Sequence, residues 1–84
     1  MESEWTAQFE DSRIRVINTW FNGELLYVND ELQDHRFGVF GSNLSGHVID
    51  RNGERKLIKV SLGGSFSVKC HLFVDDKKVP TEKL

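Results

Sequence analysis

The most reactive side chain in this 84-residue sequence is its single cysteine, Cys70. A nucleophilic cysteine needs a nearby cation or a helix N-terminus to lower the pKa of its thiol. Cys70 falls instead on the apolar side of an alternating stretch from Ser67 to Val74. His71 follows directly, but successive residues of a strand point to opposite faces, so the two cannot pair locally. The pattern predicts a small core residue.

The other side chains that could hold a metal ion are three histidines and two polar turn pairs: His35, His47, His71, Asn29-Asp30 and Asp75-Asp76. No histidine has the short spacing to another histidine or to cysteine that zinc sites use. The turn pairs lack the ordered oxygen ligands and the required glycine of a calcium loop. Gly63-Gly64-Ser65 lacks the spaced glycines and the lysine of a phosphate loop. We therefore expect no metal site, no cofactor and no enzymatic activity.

Size and charge narrow the range of partners. The chain is long enough for one domain, and its formal net charge of −2 comes from acidic and basic residues that are interspersed. This balance argues against nucleic acid, which usually meets a basic stripe, and against an anionic membrane surface. The first residues are acidic and no segment is as apolar as a membrane span, so we expect a cytoplasmic location.

A motif that occurs twice indicates the elements that position these side chains. Leu25–Glu31 (LLYVNDE) and His71–Lys77 (HLFVDDK) both read as an apolar strand that runs into a tight turn. Val28 and Val74 are 46 positions apart (74 − 28 = 46), which fits equivalent hairpins on two sheets. Shared turn chemistry could also produce the likeness, and both explanations stay open.

Alternation of apolar and polar residues extends the strand pattern along most of the chain. It runs from Arg13 to Phe21, and the next two residues, Asn22-Gly23, match a type I′ hairpin turn. A second Asn-Gly pair, at 52–53, predicts a hairpin between a short strand from His47 and a longer one that ends at Leu62. Residues 42–46 have the composition of a loop.

The predicted fold is all-β, a small antiparallel β-sandwich or partly open barrel of about six to eight short strands built from hairpins. It covers residues 13–84, where the connections are too short for the crossovers of a parallel sheet. Residues 1–12 are predicted to be an N-terminal arm or a short helical turn, because Trp5 and Phe9 are one helical turn apart.

Function is predicted from aromatic side chains that could lie outside the core: Trp20, Phe21, Tyr27 and Phe73. A cluster of exposed aromatic residues would mark a contact surface. The first hypothesis is a non-catalytic cytoplasmic domain that binds another protein, or a second copy of itself, through a strand edge or this surface. The alternative is a small-ligand or carbohydrate-binding module in which Trp20, Tyr27 and Phe73 form a stacking platform.

Two stretches resemble a known family. Ile58 to Pro80 is similar to the closing segment of the Fas apoptotic inhibitory molecule family, and Trp20-Phe21-Asn22-Gly23 resembles an aromatic-x-Asn-Gly turn in the C-terminal domain of that family. The resemblance implies an antiparallel β domain that acts through protein contacts and has no catalytic activity. Residues 34–45 depart from the family pattern, so the resemblance assigns no functional residue.

Overall fold

The computed structural model describes residues 2–19, 22–37, 42–63 and 68–84. These residues form nine β-strands, which are β1 (Glu2–Phe9), β2 (Ser12–Thr19), β3 (Glu24–Val28), β4 (Glu31–Arg36), β5 (Ser42–Ile49), β6 (Arg55–Gly63), β7 (Lys69–Val74), β8 (Lys77–Val79) and β9 (Glu82–Lys83). They build a five-stranded sheet in the order β4-β3-β2-β1-β9 and a four-stranded sheet in the order β5-β6-β7-β8. All pairings are antiparallel, which confirms the predicted all-β sandwich with more strands than the six to eight expected.

The prediction of an arm or helical turn over residues 1–12 is wrong. Residues 2–9 form β1, which lies between β2 and β9 in the five-stranded sheet. Trp5 is buried, and Phe9 packs against the same core. The spacing of these two rings is one helical turn but also an even number of strand residues, so it places both on one face in either structure.

The prediction of a loop over residues 42–46 is also wrong, because this segment is the first half of β5. The backbone N–H groups of Ser45 and His47 donate to side chains of β4, namely to Asp34 Oδ2 at 2.8 Å and to Gln33 Oε1 at 2.7 Å. β4 therefore covers the open edge of the four-stranded sheet. Gly46 permits this approach, since a Cβ there would meet Gln33 Oε1 and come within 3.0 Å of Leu26 Cδ2.

The turns at the two repeated motifs have the geometry of type I′ hairpins. Both central residues have positive φ, with 50° and 67° at Asn29 and Asp30, and 54° and 62° at Asp75 and Asp76. Asparagine and aspartate tolerate this left-handed region better than other side chains do. The predicted turns at both pairs are confirmed.

The Asn-Gly pair at 52–53 forms a hairpin loop, as predicted, but of another kind. Gly53 has positive φ and Asn52 does not, so this loop is not a type I′ turn. Gly23 also has positive φ, and residues 20 and 21 of its loop lie outside the described residues. The loop of residues 50–54 is held by a bond from the Gly53 N–H to the Asp50 carbonyl at 3.0 Å. Asp50 Oδ1 also accepts the N–H groups of Asn52 and Glu54, so side-chain capping adds to the glycine conformation.

The strands β1–β4 and β5–β8 follow the same meander, and their central pairs, β2–β3 and β6–β7, have the same register. The β3–β4 pair differs from β7–β8 by a register shift between Leu26 and Tyr27. The equivalent cross-strand pairs on the inner faces are Ile14–Val28 with Ile58–Val74, and Val16–Leu26 with Val60–Leu72. The equivalent outer pairs are Arg15–Tyr27 with Lys59–Phe73, and Ile17–Leu25 with Ser61–His71. The motif that occurs twice in the sequence is thus the same hairpin in each sheet.

One core lies between the inner faces. The residues that alternation places there and that are buried are Ile14, Val16, Ile58, Val60, Leu62, Leu72 and Val74. Each fully buried aliphatic side chain stabilises the fold by about 1.5–3 kcal/mol relative to an exposed one. Cys70 packs partly against this core, whereas Val68, expected on the same face, is exposed.

Main chain closes the other side of the sandwich. β9 pairs with Trp5 and Thr6 of β1, and the Leu84 N–H donates to the Glu4 carbonyl at 2.9 Å. β8 is three residues long and is followed by Pro80, which has no N–H to offer to a further strand.

Candidate functional site

The outer face of the five-stranded sheet carries a cluster of apolar side chains. We call it the apolar face and define it by Ile17, Leu25, Tyr27 and Leu32. Ile17 lies opposite Leu25, and Tyr27 lies opposite Leu32, so the register brings the four together on β2, β3 and β4. Leu32 is 48% exposed and the other three are half-buried. An apolar cluster on an outer sheet face is typical of an interaction surface.

The four-stranded sheet provides an internal reference for this cluster. At the positions equivalent to Ile17, Leu25 and Leu32 it has, in order, Ser61, His71 and Lys78. Only the aromatic position is retained, as Tyr27 in one sheet and Phe73 in the other. Since both sheets have the same meander and pack on one core, folding alone does not require the apolar set.

Charged side chains border the apolar face at Arg15. Its guanidinium donates to Glu4 Oε2 at 3.3 Å and to Asp30 Oδ1 at 3.1 Å, and it lies 5.3 Å from the centre of the Tyr27 ring. Desolvation would lower the pKa of Arg15, but the charges and hydrogen bonds of Glu4 and Asp30 outweigh it and raise that pKa. This arrangement holds Arg15 charged beside the ring.

His35 and Phe37 extend the apolar face at the end of β4. His35 lies opposite Leu25, and its ring centre is 4.7 Å from that of Phe37. The His35 Nε2 atom contacts the carbonyl oxygen of Asn22. Phe37 is the most exposed large apolar residue of the part of the chain that is described, and it enlarges the exposed apolar surface.

The structure separates the aromatic residues of the predicted contact surface. Tyr27 lies on the outer face of the five-stranded sheet, and Phe73 lies on the outer face of the four-stranded sheet. The two rings are on opposite sides of the sandwich, so they cannot belong to one stacking platform. Trp20 and Phe21 lie outside the described residues.

Cys70 has the properties of a core thiol. It is half-buried on the inner side of β7, and burial raises the pKa of its thiol to about 11. Within the residues that the structure describes, no group of three or more histidine, cysteine, aspartate or glutamate side chains is placed to hold a metal ion. His47 contacts Arg55 through Nδ1, whereas His35 lies on the other sheet.

Glu24 is the polar residue that fits the fold least well. It is 6% exposed, and its Oε2 atom is buried without a hydrogen-bond partner among the described residues. Its position in the five-stranded sheet is equivalent to that of Cys70 in the four-stranded sheet, since Glu24 opposes Asn18 and Cys70 opposes Leu62. A buried side-chain oxygen without a hydrogen-bond partner lowers stability.

Three of the four residues of the apolar face were not among the predicted contact residues. Ile17, Leu25 and Leu32 are scattered through three strands, and only the register brings them together. A signal was available in the two copies of the repeated motif, where Leu25 in one copy corresponds to His71 in the other.

The fold and this surface define a small antiparallel β-sandwich domain with an internal repeat and one apolar outer face. Comparison with protein-family models, with curated proteins and with solved structures finds no match. Across the described ranges, the structure contains no helix with the length and apolar character needed to cross a membrane.

Proposed function

We propose that this chain is a non-catalytic domain that binds another protein through the apolar face. The observation that carries the proposal is the difference between equivalent outer positions of two sheets that share one meander. Ile17, Leu25 and Leu32 stand where the other sheet has polar residues. Leu32 is exposed and the other two are half-buried, and apolar side chains that reach water without a structural need indicate a contact surface.

The strand edges favour binding by a face over binding by an added strand. A peptide that extends a sheet needs an edge with free N–H and C=O groups. The β5 edge donates to Gln33 and Asp34, and β1 is partly covered by β9. β8 is short, and its lysines, Lys77 and Lys78, oppose pairing with another strand.

A binding role also fits the chemistry of the described side chains. The thiol of Cys70 is protonated at neutral pH, because its pKa is raised to about 11. We place the protein in the cytoplasm, where a single cysteine stays reduced. Kinship with the C-terminal domain of the Fas apoptotic inhibitory molecule family is a proposal of the same kind and implies the same protein-binding role.

Site-specific photo-crosslinking tests this function in cells. A photoreactive amino acid in place of Leu32 is expected to form covalent adducts with a defined partner protein, identified by mass spectrometry. The matched control has the same amino acid in place of Leu57, which is 51% exposed on the outer face of the four-stranded sheet. Adducts that appear at both positions equally, or at Leu57 alone, would contradict the proposal.

Self-association is measured separately. Sedimentation equilibrium of the purified chain reports whether a second copy occupies the apolar face. A dimer that dissociates in a Leu32→Lys variant and persists in a Leu57→Lys variant would make the partner a second copy of this chain. A monomer at all concentrations leaves a different protein as the partner, which the crosslinking then identifies.

A further inference from the structure

A groove of about 570 Å³ lies on the outer face of the four-stranded sheet, on the opposite side of the sandwich from the apolar face. Besides the buried residues Leu44 and Val60, the described residues that line it are Arg36, Asn43, Ser45, Lys59, Ser61 and Phe73. Arg36 reaches it from β4, which lies beside the β5 edge. The groove has a volume within the range of about 300–1,000 Å³ that is typical of small-ligand sites.

The lining of the groove combines positive charge with one aromatic ring. Among the described residues that line it, the charged ones are Arg36 and Lys59, and none is acidic. Phe73 lies between Lys59 and Lys78 in the cross-strand register, so lysines stand on both sides of the ring. Asn43, Ser45 and Ser61 add amide and hydroxyl groups that can donate hydrogen bonds.

The two cations of the groove have partners on its border. Lys59 Nζ is 3.1 Å from Asp76 Oδ1, and Arg36 Nε is 3.2 Å from Asp34 Oδ1. Both cationic side chains are more than half exposed, and ion pairs in water contribute only about 0–1 kcal/mol, so an anion of higher charge can compete with these carboxylates. Arginine and lysine both bind phosphate, which accepts several hydrogen bonds at once.

We infer that this groove binds a small molecule in which a ring carries a phosphate group. The ring stacks on Phe73, and the phosphate contacts Lys59 and Arg36, with Ser45 or Ser61 donating a further hydrogen bond. A neutral sugar would use the ring and the hydroxyl groups but would leave the two cations without a role. Sugar phosphates and mononucleotides share the required chemistry, and the experiment distinguishes between them.

The test is a titration of the ¹⁵N-labelled chain, followed by two-dimensional NMR. The probes are glucose 6-phosphate and adenosine monophosphate, with glucose, adenosine and inorganic phosphate as the separate parts. At least one of the two phosphates is expected to shift the amide signals of Ser45, Ser61 and Phe73 saturably, with a Kd of about 1 mM or tighter. Each separate part is expected to bind about tenfold more weakly, because it lacks either the stacking or the charge contact.

Matched variants locate the site. Phe73→Thr removes the ring and is expected to weaken binding about tenfold. Lys59→Gln removes the charge and is expected to weaken it about fivefold. The Lys59→Arg variant keeps the charge and is expected to bind about as tightly as the wild type. The fold accommodates arginine there, since Arg15 occupies the equivalent position of the other sheet. Arg55→Gln is the control, because Arg55 lies on the same strand outside the groove.

Three results would overturn the inference. The first is the absence of saturable shifts with both phosphates. The second is equal affinity of the wild type and the Phe73→Thr and Lys59→Gln variants, which both have outward-facing side chains whose folding is checked from the same spectra. The third is an equal loss of affinity in Arg55→Gln, which would indicate general attraction to a basic surface. None of these results bears on the apolar face, which lies on the other sheet.

Discussion

The outer positions at which the five-stranded and four-stranded sheets differ include Ile17, Leu25 and Leu32 in the first and Ser61, His71 and Lys78 in the second. Their inner faces share identical residues at four equivalent positions of the central strands: Ile14 and Ile58, Val16 and Val60, Leu26 and Leu72, and Val28 and Val74. The core therefore accounts for what the sheets share. The core does not explain the difference between the outer faces, for which we propose two separate contacts, a protein on the apolar face and a small molecule in the groove.

The two sheets also differ in how the edges of the equivalent strands β1 and β5 are covered. The edge of β5 is covered by the side chains of Gln33 and Asp34, whereas the edge of β1 is partly covered by the main chain of β9. Two copies of one meander thus use different means to avoid an exposed edge. Both proposed contacts accordingly use an outer face rather than a strand edge.

The largest effects are expected on the shared inner faces. Leu26 and Leu72 are fully buried at equivalent positions. Substitution of either by alanine is expected to lower the free energy of unfolding by about 2–5 kcal/mol, because it removes buried methyl groups and leaves a cavity. Chemical denaturation of the two variants measures this. A loss at only one of the two positions would mean that the sheets do not contribute to one core.

A second prediction concerns the thiol of Cys70. Its pKa is raised by burial from 9.0 to about 11, so at neutral pH it holds on the order of 100-fold less thiolate than an ordinary cysteine. Alkylation by iodoacetamide is expected to be slower by a similar factor in the folded chain. Since the folded pKa lies above the unfolded one, the stability that the buried thiol contributes is complete below about pH 9 and is lost as the pH rises through about 11.

Alkylation at the rate of a free cysteine at neutral pH would contradict this description of Cys70. A Cys70→Ala variant is the control for the pH dependence. Its stability should fall less between about pH 9 and pH 11 than that of the wild type.

A third prediction tests how closely β4 approaches β5. Gly46 is equivalent to Ala7, since both lie opposite the equivalent isoleucines Ile58 and Ile14. Gly46→Ala is expected to lower the free energy of unfolding by about 1–3 kcal/mol, because the added Cβ displaces Gln33 from its bond with the His47 N–H. Thermal unfolding measures the change. An unchanged or higher stability would show that the two strands are not in close contact.

The smallest effects are expected at the type I′ turns. Asp30 and Asp76 are equivalent residues with positive φ, where glycine has no steric cost. Asp30→Gly and Asp76→Gly are each expected to raise the free energy of unfolding by about 0.5–1 kcal/mol, because glycine relieves the backbone strain. Each variant also loses an exposed ion pair, to Arg15 or to Lys59, which reduces this gain slightly. The variants Asp30→Asn and Asp76→Asn remove only the charge and separate the two contributions. A gain in the asparagine variants as large as in the glycine variants would exclude the backbone explanation.

The sequence predicts the strands wherever alternation is regular, and it fails where a segment depends on distant partners. β6 and β7 follow from apolar and polar residues in turn, and the turn at Asp75-Asp76 follows from its residue types. The first half of β5 does not follow from its residue types, because the N–H groups along its edge are hydrogen-bonded to the side chains of Gln33 and Asp34 in another strand. The sequence alone does not predict the apolar face, because strand order and register decide which outer residues are neighbours.

The most direct test of the apolar face exchanges its chemistry for that of the other sheet. The variant Ile17→Ser, Leu25→His and Leu32→Lys carries residues that the same meander already accommodates at equivalent positions. Isothermal titration with the partner protein found by crosslinking is expected to show binding about 100-fold weaker than that of the wild type, with the cooperative unfolding transition retained. Wild-type affinity in this folded variant would contradict the assignment of the apolar face as the binding surface.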